Sequence, residues 1–177
     1  MHLKNSENRF GLIAILLHWI MAVLIIGLLG IGLYMVSLPI GFEKLKLYGW
    51  HKEYGFLVLG LVIFRLFWRL INITPHLSLP WFEIIAARLM HWAFYGFMLA
   101  MPITGWLITS AAGLPASFFG LFVLPNLIAP NEEFRQFFEL VHKWLGYGLI
   151  VAIFLHACAA LKHHFIDKDD ILKRMIS

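Results

Sequence analysis

The chain has 177 residues, of which 61% are hydrophobic and 14% are charged, with a formal net charge of +4. A soluble domain contains about 45–50% apolar and roughly 25% charged residues, so this composition excludes an ordinary soluble domain and predicts a membrane protein. The single cysteine, Cys158, excludes an intrachain disulfide framework.

Four segments are long and apolar enough to cross a bilayer, whose hydrocarbon core requires roughly 20 residues of helix. They comprise residues 10–36, 48–70, 84–109 and 140–161. Because such a span satisfies its backbone in lipid only as a helix, we predict an all-α membrane protein, an up-down bundle of four transmembrane helices. The first span is too long for the apolar region of a signal peptide, so we expect it to be retained. The four spans form a single domain over residues 1–177.

The distribution of Lys and Arg predicts the orientation of this bundle. If the N-terminus is cytoplasmic, nine of the 14 basic residues fall on that side and five on the other. The nine are Lys4, Arg9, Arg65, Arg69, Arg88, Lys162, Lys168, Lys173 and Arg174, and the five are Lys44, Lys46, Lys52, Arg135 and Lys143. We therefore expect both termini to face the cytoplasm.

The chain has nine histidines, and four of them match in depth. His18 lies about 12 Å into the first span at 1.5 Å per residue, and His156 lies at a similar depth on the antiparallel fourth span. His51 and His142 open the second and fourth spans at the outer edge. The topology therefore pairs His18 with His156 at an inner level and His51 with His142 at an outer level. Fourteen residues place His142 and His156 on one helix face, about 21 Å apart.

Paired imidazoles on facing helices are a standard ligand set for haem b, and bundle cores host such cofactors. Gly55 and Gly146 each follow an outer histidine by four residues, where a missing side chain would leave room for the macrocycle. Close helix packing is the alternative explanation of these glycines. A lone intramembrane histidine can be a hydrogen-bonded packing residue, but four at matched depths favour a functional role.

Three further histidines are less clearly placed by the pattern. His91 lies about eight residues into the third span, at the inner level, so periodicity leaves it open as a ligand. His2 and His76 lie outside the spans, and we expect them to be solvated.

Two arginines follow His51 on the same helical face, fourteen and eighteen residues later. We expect Arg65 to lie beside the inner histidines, where its guanidinium could pair with a haem propionate or an anionic ligand. A basic membrane anchor with a snorkelling side chain is the alternative, and it explains Arg69 at least as well.

His163 follows His156 by seven residues, on the same stripe and nearer the cytoplasm. Quinone reduction consumes protons as well as electrons, so we predict His163 as a catalytic group beside a quinone. Its neighbours Lys162 and His164 are explained by a basic membrane anchor.

Several motifs together resemble the bacterial cytochrome b561 family. They are LLHW (Leu16–Trp19), a histidine opening the second span with Arg fourteen residues later, VHKW (Val141–Trp144), FLHACAALKHHF (Phe154–Phe165) and the tail IDKDDILKRM. The resemblance covers nearly the whole chain. It implies a four-helix bundle with two b-type haems, held by His18 with His156 and by His51 with His142, and it leaves His91 as a pocket residue.

One branch of that family oxidises superoxide at the outer face and passes electrons to ubiquinone, at a site close to the histidine that corresponds to His163. The resemblance thus implies a multi-pass protein of the bacterial inner membrane that acts as a superoxide:quinone oxidoreductase or takes electrons from another outer one-electron donor. The tail looks closer to a less characterised paralogue group, which leaves the donor open. Expected partners are lipid, quinone, a small outer donor and, as an open case, a redox protein; no nucleic acid is expected.

Two alternatives remain at this point. The chain could be the cytochrome b subunit of a hydrogenase or dehydrogenase. It could also be a non-haem membrane protein that uses its histidines for metal or proton transport.

Overall fold

The computed structural model of the chain describes residues 3–76 and 79–176. Four long helices make up most of it: α1 (Leu12–Ser37), α2 (Phe42–Leu70), α3 (Trp81–Ala111) and α4 (Glu132–Lys162). A π-helical turn, His163–Asp167, continues α4, and a 3₁₀ turn, Lys173–Met175, lies in the tail. His2 lies outside the described residues.

Two of the helices begin further out than the hydropathy pattern predicts. α2 begins at Phe42 rather than near residue 48, and α4 begins at Glu132 rather than near residue 140. The extra turns of α4 are polar and are held by their own ion pairs, since Arg135 bonds to Glu132 (Nη2–Oε1 2.6 Å) and to Glu139 at helical spacing. Hydropathy reports the apolar length of a helix, and these outer segments are charged.

The described chain is mostly helical, as predicted, and the connection between α3 and α4 contains two short strands that the sequence did not predict. Strands β1 (Ala116–Phe118) and β2 (Phe122–Leu124) pair there as an antiparallel hairpin. Its loop takes positive φ at Phe119 (49°) and Gly120 (70°), and Leu121 N donates to Phe118 O at 2.9 Å. Just after the end of α3, Gly113 takes a positive φ of 68°, and Gly120 likewise accepts the left-handed conformation at little cost.

Contacts near both ends of the helices define their directions. α1 packs on α2, α2 on α3, and α3 on α4. His18 of α1 contacts Arg65 near the end of α2, whereas Gly32 of α1 lies against His51 near its beginning. These two helices are therefore antiparallel.

A small buried cluster holds the centre of the bundle, and much of the remaining apolar surface faces outward. The cluster consists of Met21, Val58, Val62, Tyr95 and Met98. Large apolar side chains such as Val23 and Phe154 are exposed, as expected where lipid replaces water around the protein.

Three helices in the described part of the chain are long and apolar enough to cross a membrane: α1, α3 and the continuous helix Glu132–Asp167. α2 does not meet that standard, because charges on both sides shorten its apolar run to Tyr54–Phe64, between Glu53 and Arg65. The structure thus provides four helices and three clear spans, and membrane crossing by α2 stays a prediction.

Candidate functional site

Three imidazoles from three helices meet at the inner level. The rings of His18 (α1) and His156 (α4) have centroids 6.2 Å apart, and that of His91 (α3) is also 6.2 Å from His156. Phe94 packs edge-on against His156 at 5.3 Å. The structure therefore brings the predicted pair together and adds His91 as an immediate neighbour.

Arg65 lies beside this inner group, where its spacing from His51 predicts it. Its Nη2 atom is 3.3 Å from His18 Nδ1, and its Nη1 atom is 3.9 Å from Met21 Sδ. A guanidinium only donates hydrogen bonds, so His18 Nδ1 is the acceptor here. Arg69 is directed elsewhere, with its guanidinium 5.6 Å from the centre of the Tyr95 ring.

The outer pair has nearly the same spacing, since the ring centroids of His51 and His142 are 6.1 Å apart. His51 Nδ1 is buried and has no hydrogen-bond partner within residues 3–76 and 79–176. A buried polar atom without a partner is uncommon in folded proteins. Trp68 Nε1 and His164 Nδ1 share this property in the described chain, so it does not by itself identify a ligand.

His142 has a defined partner on its other side, Thr104 of α3. Thr104 Oγ1 is 2.9 Å from His142 Nδ1, 2.8 Å from Ala100 O and 2.9 Å from Met101 O. The hydroxyl has one proton, and the two carbonyl oxygens can only accept it. Thr104 therefore donates to its own helix and accepts from His142 Nδ1–H, which leaves Nε2 as the unprotonated nitrogen.

Two glycines lie against the outer rings, and at one of them, Gly32, an added Cβ would crowd the imidazole. A Cβ atom on Gly32 would lie 3.2 Å from His51 Cε1, and one on Gly105 would lie 3.5 Å from His142 Cε1. The predicted glycines are placed differently. A Cβ on Gly55 would meet nothing within 4 Å in the described chain, and one on Gly146 would be 3.8 Å from Met101 Cε. Sequence spacing missed Gly32 and Gly105 because each lies on a different helix from the histidine that it faces.

The inner end of α4 carries an ion network around His163. His163 Nδ1 is 2.7 Å from Asp169 Oδ2 and 3.2 Å from Asp167 Oδ2. Lys162 Nζ is 2.6 Å from Asp167 Oδ2 and 3.2 Å from Glu83 Oε1. Ligand atoms of Glu83, His163 and Asp167 lie within 4.8 Å of one another. The Lys162 ammonium contacts both carboxylates of this set, so the cluster joins α3 to the inner end of α4 through ion pairs.

The C-terminal tail closes over this end of the bundle. Trp19, next to His18, donates from Nε1 to Met175 O at 2.7 Å, and Arg174 Nη1 donates to His76 O at 2.8 Å. His76 is exposed, as its position outside the spans predicts. These contacts bring Asp169 and the tail close to the inner histidine level.

The two histidine pairs have the spacing that a shared metal ion requires. Two imidazole nitrogens that bind one metal from opposite sides at about 2 Å, the usual metal–imidazole bond length, have ring centroids roughly 6 Å apart. The measured separations of 6.2 Å and 6.1 Å agree with that value. The His91–His156 separation of 6.2 Å agrees equally well. By spacing, His51 with His142 would hold one haem iron, and His156 with His18 or His91 would hold the other.

Comparison with known proteins agrees with this chemistry. The family model for prokaryotic cytochrome b561 matches residues 9–177. The Escherichia coli (strain K12) protein named "Cytochrome b561 homolog 2" is 37% identical, over 99% of this chain and 95% of its own length. "Cytochrome b561 homolog 1" of the same organism is 32% identical, over 96% and 97%. "Probable superoxide oxidase CybB" of Yersinia pestis is 30% identical, over 99% and 97%.

The resemblance inferred from the motifs is confirmed by the family match and by the relatives over nearly the whole chain. The chain belongs to the prokaryotic cytochrome b561 family and is a haem-binding electron-transfer protein of a bacterial membrane.

Proposed function

We propose that this chain is a dihaem cytochrome whose four helices form an up-down transmembrane bundle. His18 and His156 hold one haem b, and His51 and His142 hold the other. The chain carries single electrons from an outer donor to ubiquinone on the inner side of the bacterial inner membrane. The observation that carries the proposal is the pair of opposed imidazoles at each of two levels, with the same spacing.

The bound haems supply one-electron redox chemistry, and the side chains set the conditions for it. Thr104 holds the His142 proton on Nδ1, so that Nε2 is free to ligate. The α4 positions of His142 and His156 separate the two levels by about 21 Å along the helix, which is a large part of the hydrocarbon thickness.

Arg65 is proposed to bind a haem propionate at the inner level. An imidazole that ligates iron through Nε2 has its proton on Nδ1, and it then no longer accepts from Arg65. If His18 held the haem iron, the Arg65 guanidinium would be free to pair with a haem propionate through charge-assisted hydrogen bonds. Gly55 and Gly146 are proposed to border the macrocycle, Gly55 because open space lies beside it.

Ubiquinone is proposed to bind beside His163. The Asp169 carboxylate accepts from His163 Nδ1–H, which would leave Nε2 to bond a quinone oxygen. A protonated Nε2 donates a hydrogen bond as negative charge develops on the quinone, and general acids of this kind contribute about 10²–10⁴-fold. Protons reach this site from the cytoplasm, because the termini face that side in the proposed orientation.

Superoxide is the proposed outer donor, because one relative is named "Probable superoxide oxidase CybB". The charged residues of the outer segments do not favour an anion over a neutral donor. Residues 42–53 and 132–143 contain Lys44, Lys46, Lys52, Arg135 and Lys143, balanced by Glu43, Glu53, Glu132, Glu133 and Glu139. All four excess positive charges of the chain lie on the inner side. A cytochrome subunit that receives electrons from a partner hydrogenase or dehydrogenase therefore remains the second candidate.

The decisive experiment is haem quantification by the pyridine haemochrome method on the purified full chain. We expect two b-type haems per chain, with His142→Ala losing the outer haem and His156→Ala losing the inner one. One haem in the unmodified chain contradicts the proposal, and no haem favours a histidine-based transporter. Turnover of superoxide and ubiquinone by the isolated chain separates an oxidoreductase from a partner-dependent subunit. A reporter fused after Ser177 tests the cytoplasmic location of the C-terminus.

A further inference from the structure

The connection between α3 and α4 lacks charge although much of it is exposed. Residues 112–131 contain no Asp, Glu, Lys, Arg or His. Within it, the side chains of Leu121 and Val123 are 76% and 63% exposed. A contiguous apolar surface of this kind in water is unfavourable and marks an interaction site.

The hairpin of residues 116–124 is apolar on both faces. Successive side chains of a strand point to opposite sides, and the consecutive residues Phe122 and Val123 of β2 are both exposed. A hairpin with one face in water carries polar residues on that face. A protein partner would cover one side, whereas a lipid environment contacts both.

Hydrogen bonds and a ring contact hold the hairpin against the helices of the bundle. Leu127 N donates to the buried Ser110 Oγ at 3.1 Å, and Trp106 Nε1 donates to Pro125 O at 3.1 Å. At its tip, Phe119 packs edge-on against Tyr54 with ring centroids 5.3 Å apart. Tyr54 lies three residues beyond His51 along α2, so the tip reaches about the depth of the outer histidine pair.

Charged residues on the neighbouring helices mark where this depth lies in the membrane. Lys52 and Glu53 are the last charges of α2 before Tyr54–Phe64, and Lys143 is the last of α4 before residues 144–161. The hairpin tip therefore lies at this boundary, beside the first residue of the apolar run of α2. That zone is the headgroup region, where water and headgroups can satisfy the unpaired strand edges that hydrocarbon would not tolerate.

We propose that residues 116–124 form an interfacial anchor that binds the boundary between headgroups and acyl chains in the outer leaflet. Leu121, Phe122 and Val123 enter the acyl layer, and the backbone edges stay among the headgroups. The aromatic rings of Tyr54 and Trp106 at the hairpin are typical of this depth in membrane proteins. The inference rests on bilayer insertion of the bundle and not on its haem content or substrates.

Spin labelling in liposomes tests the anchor. The label is placed at Leu121→Cys or Val123→Cys in a Cys158→Ser chain, and its collisions with oxygen and with the water-soluble nickel complex NiEDDA are compared. Glu133→Cys, in the charged outer segment of α4, is the aqueous control, and Cys158 itself, exposed on α4, is the lipid reference. We expect labels at both hairpin positions to collide several-fold more with oxygen, relative to NiEDDA, than the label at 133.

Two outcomes overturn the proposal. Equal NiEDDA accessibility at 121, 123 and 133 means that the hairpin lies in water. Shielding from both reagents, with dipolar broadening between labels, means that a second copy of the chain covers it. Shielding of one label from both reagents, while the other stays accessible to oxygen, likewise indicates a protein partner rather than lipid.

Discussion

Thr104 Oγ1 accepts a hydrogen bond from His142 Nδ1 at 2.9 Å, and this contact fixes which nitrogen of the imidazole carries the proton. Partners of this kind orient a ligating histidine and raise its basicity. Thr104 is buried, and its hydroxyl proton is already committed to the carbonyl oxygens of α3. The side chain would therefore be a positioning group for the proposed outer haem.

Thr104→Val keeps the shape of the side chain and removes the acceptor. We expect the outer haem to be held about 10–100-fold more weakly, the usual effect of losing such a partner, and its reduction potential to shift while the inner haem is unchanged. Haem loss to an apoprotein acceptor and a redox titration measure these effects. Thr104→Ser should behave as the unmodified chain.

Thr109→Val is the matched control for this experiment. Thr109 is buried on the same helix, and its hydroxyl donates to Gly105 O at 3.0 Å. If Thr104→Val and Thr109→Val lose the outer haem at the same rate, the hydrogen bond to His142 does not orient a ligand.

Gly32→Ala tests the space beside the other outer histidine. The added Cβ would approach His51 Cε1 to 3.2 Å, so the ring must move by a few tenths of an ångström. We expect reduced occupancy or an altered low-spin EPR signal of the outer haem. Gly30→Ala on the same helix places its Cβ in open space within the described chain. It should leave both haems unchanged and gain up to about 1 kcal/mol of helix propensity; similar spectra for the two variants would contradict the steric role of Gly32.

The depth of each histidine within its span was enough to predict which histidines lie near each other. Position within an apolar span translates into height at a fixed rise per residue, so His18, His156, His51 and His142 could be matched before any contact was known. Contacts between helices could not be predicted in this way. Gly32 and Thr104 contact histidines of other helices. How two helices are rotated relative to each other depends on side-chain packing, which residue spacing within one helix does not reveal.

The outer connection was missed for a different reason. Hydropathy gives no sign of whether an apolar segment such as residues 116–124 crosses a membrane, packs in a core or forms a hairpin. Its short length excluded a span, and the pairing of Phe118 with Phe122 depends on the positive φ angles of the loop between them. The roles of Gly55 and Gly146 stay predictions.

Arg65→Gln removes the positive charge beside the inner histidines and should lower the reduction potential of the inner haem, because the oxidised form is then less disfavoured. The expected shift is tens of millivolts, on the order of 1 kcal/mol for a buried charge at this range. Arg88→Gln, an exposed arginine on α3, controls for a general change in charge. An unchanged inner potential in Arg65→Gln, measured by redox titration, would mean that the guanidinium is only a membrane anchor.

His163→Ala tests the proposed quinone site. Loss of the imidazole removes the hydrogen-bond donor that Asp169 orients, so reoxidation of the reduced haems by ubiquinone should slow by about 10²-fold or more if His163 acts as a general acid. Both haem spectra should stay near normal, because His163 lies seven residues beyond His156 and ligates neither haem in the proposal. Stopped-flow mixing of the reduced chain with a soluble ubiquinone measures the rate.

His164→Ala and Asp169→Ala distinguish the chemistry of His163 from its surroundings. His164 is the adjacent imidazole, whose Nδ1 has no hydrogen-bond partner in the described chain, so its loss controls for removal of one basic group from the same turn. Asp169→Ala leaves Asp167, 3.2 Å from His163 Nδ1, as a substitute acceptor, and should therefore slow reoxidation less than His163→Ala. If His163→Ala reoxidises as fast as His164→Ala, quinone binds elsewhere, and the contacts of His163 with Asp167 and Asp169 serve only to join α4 to the tail.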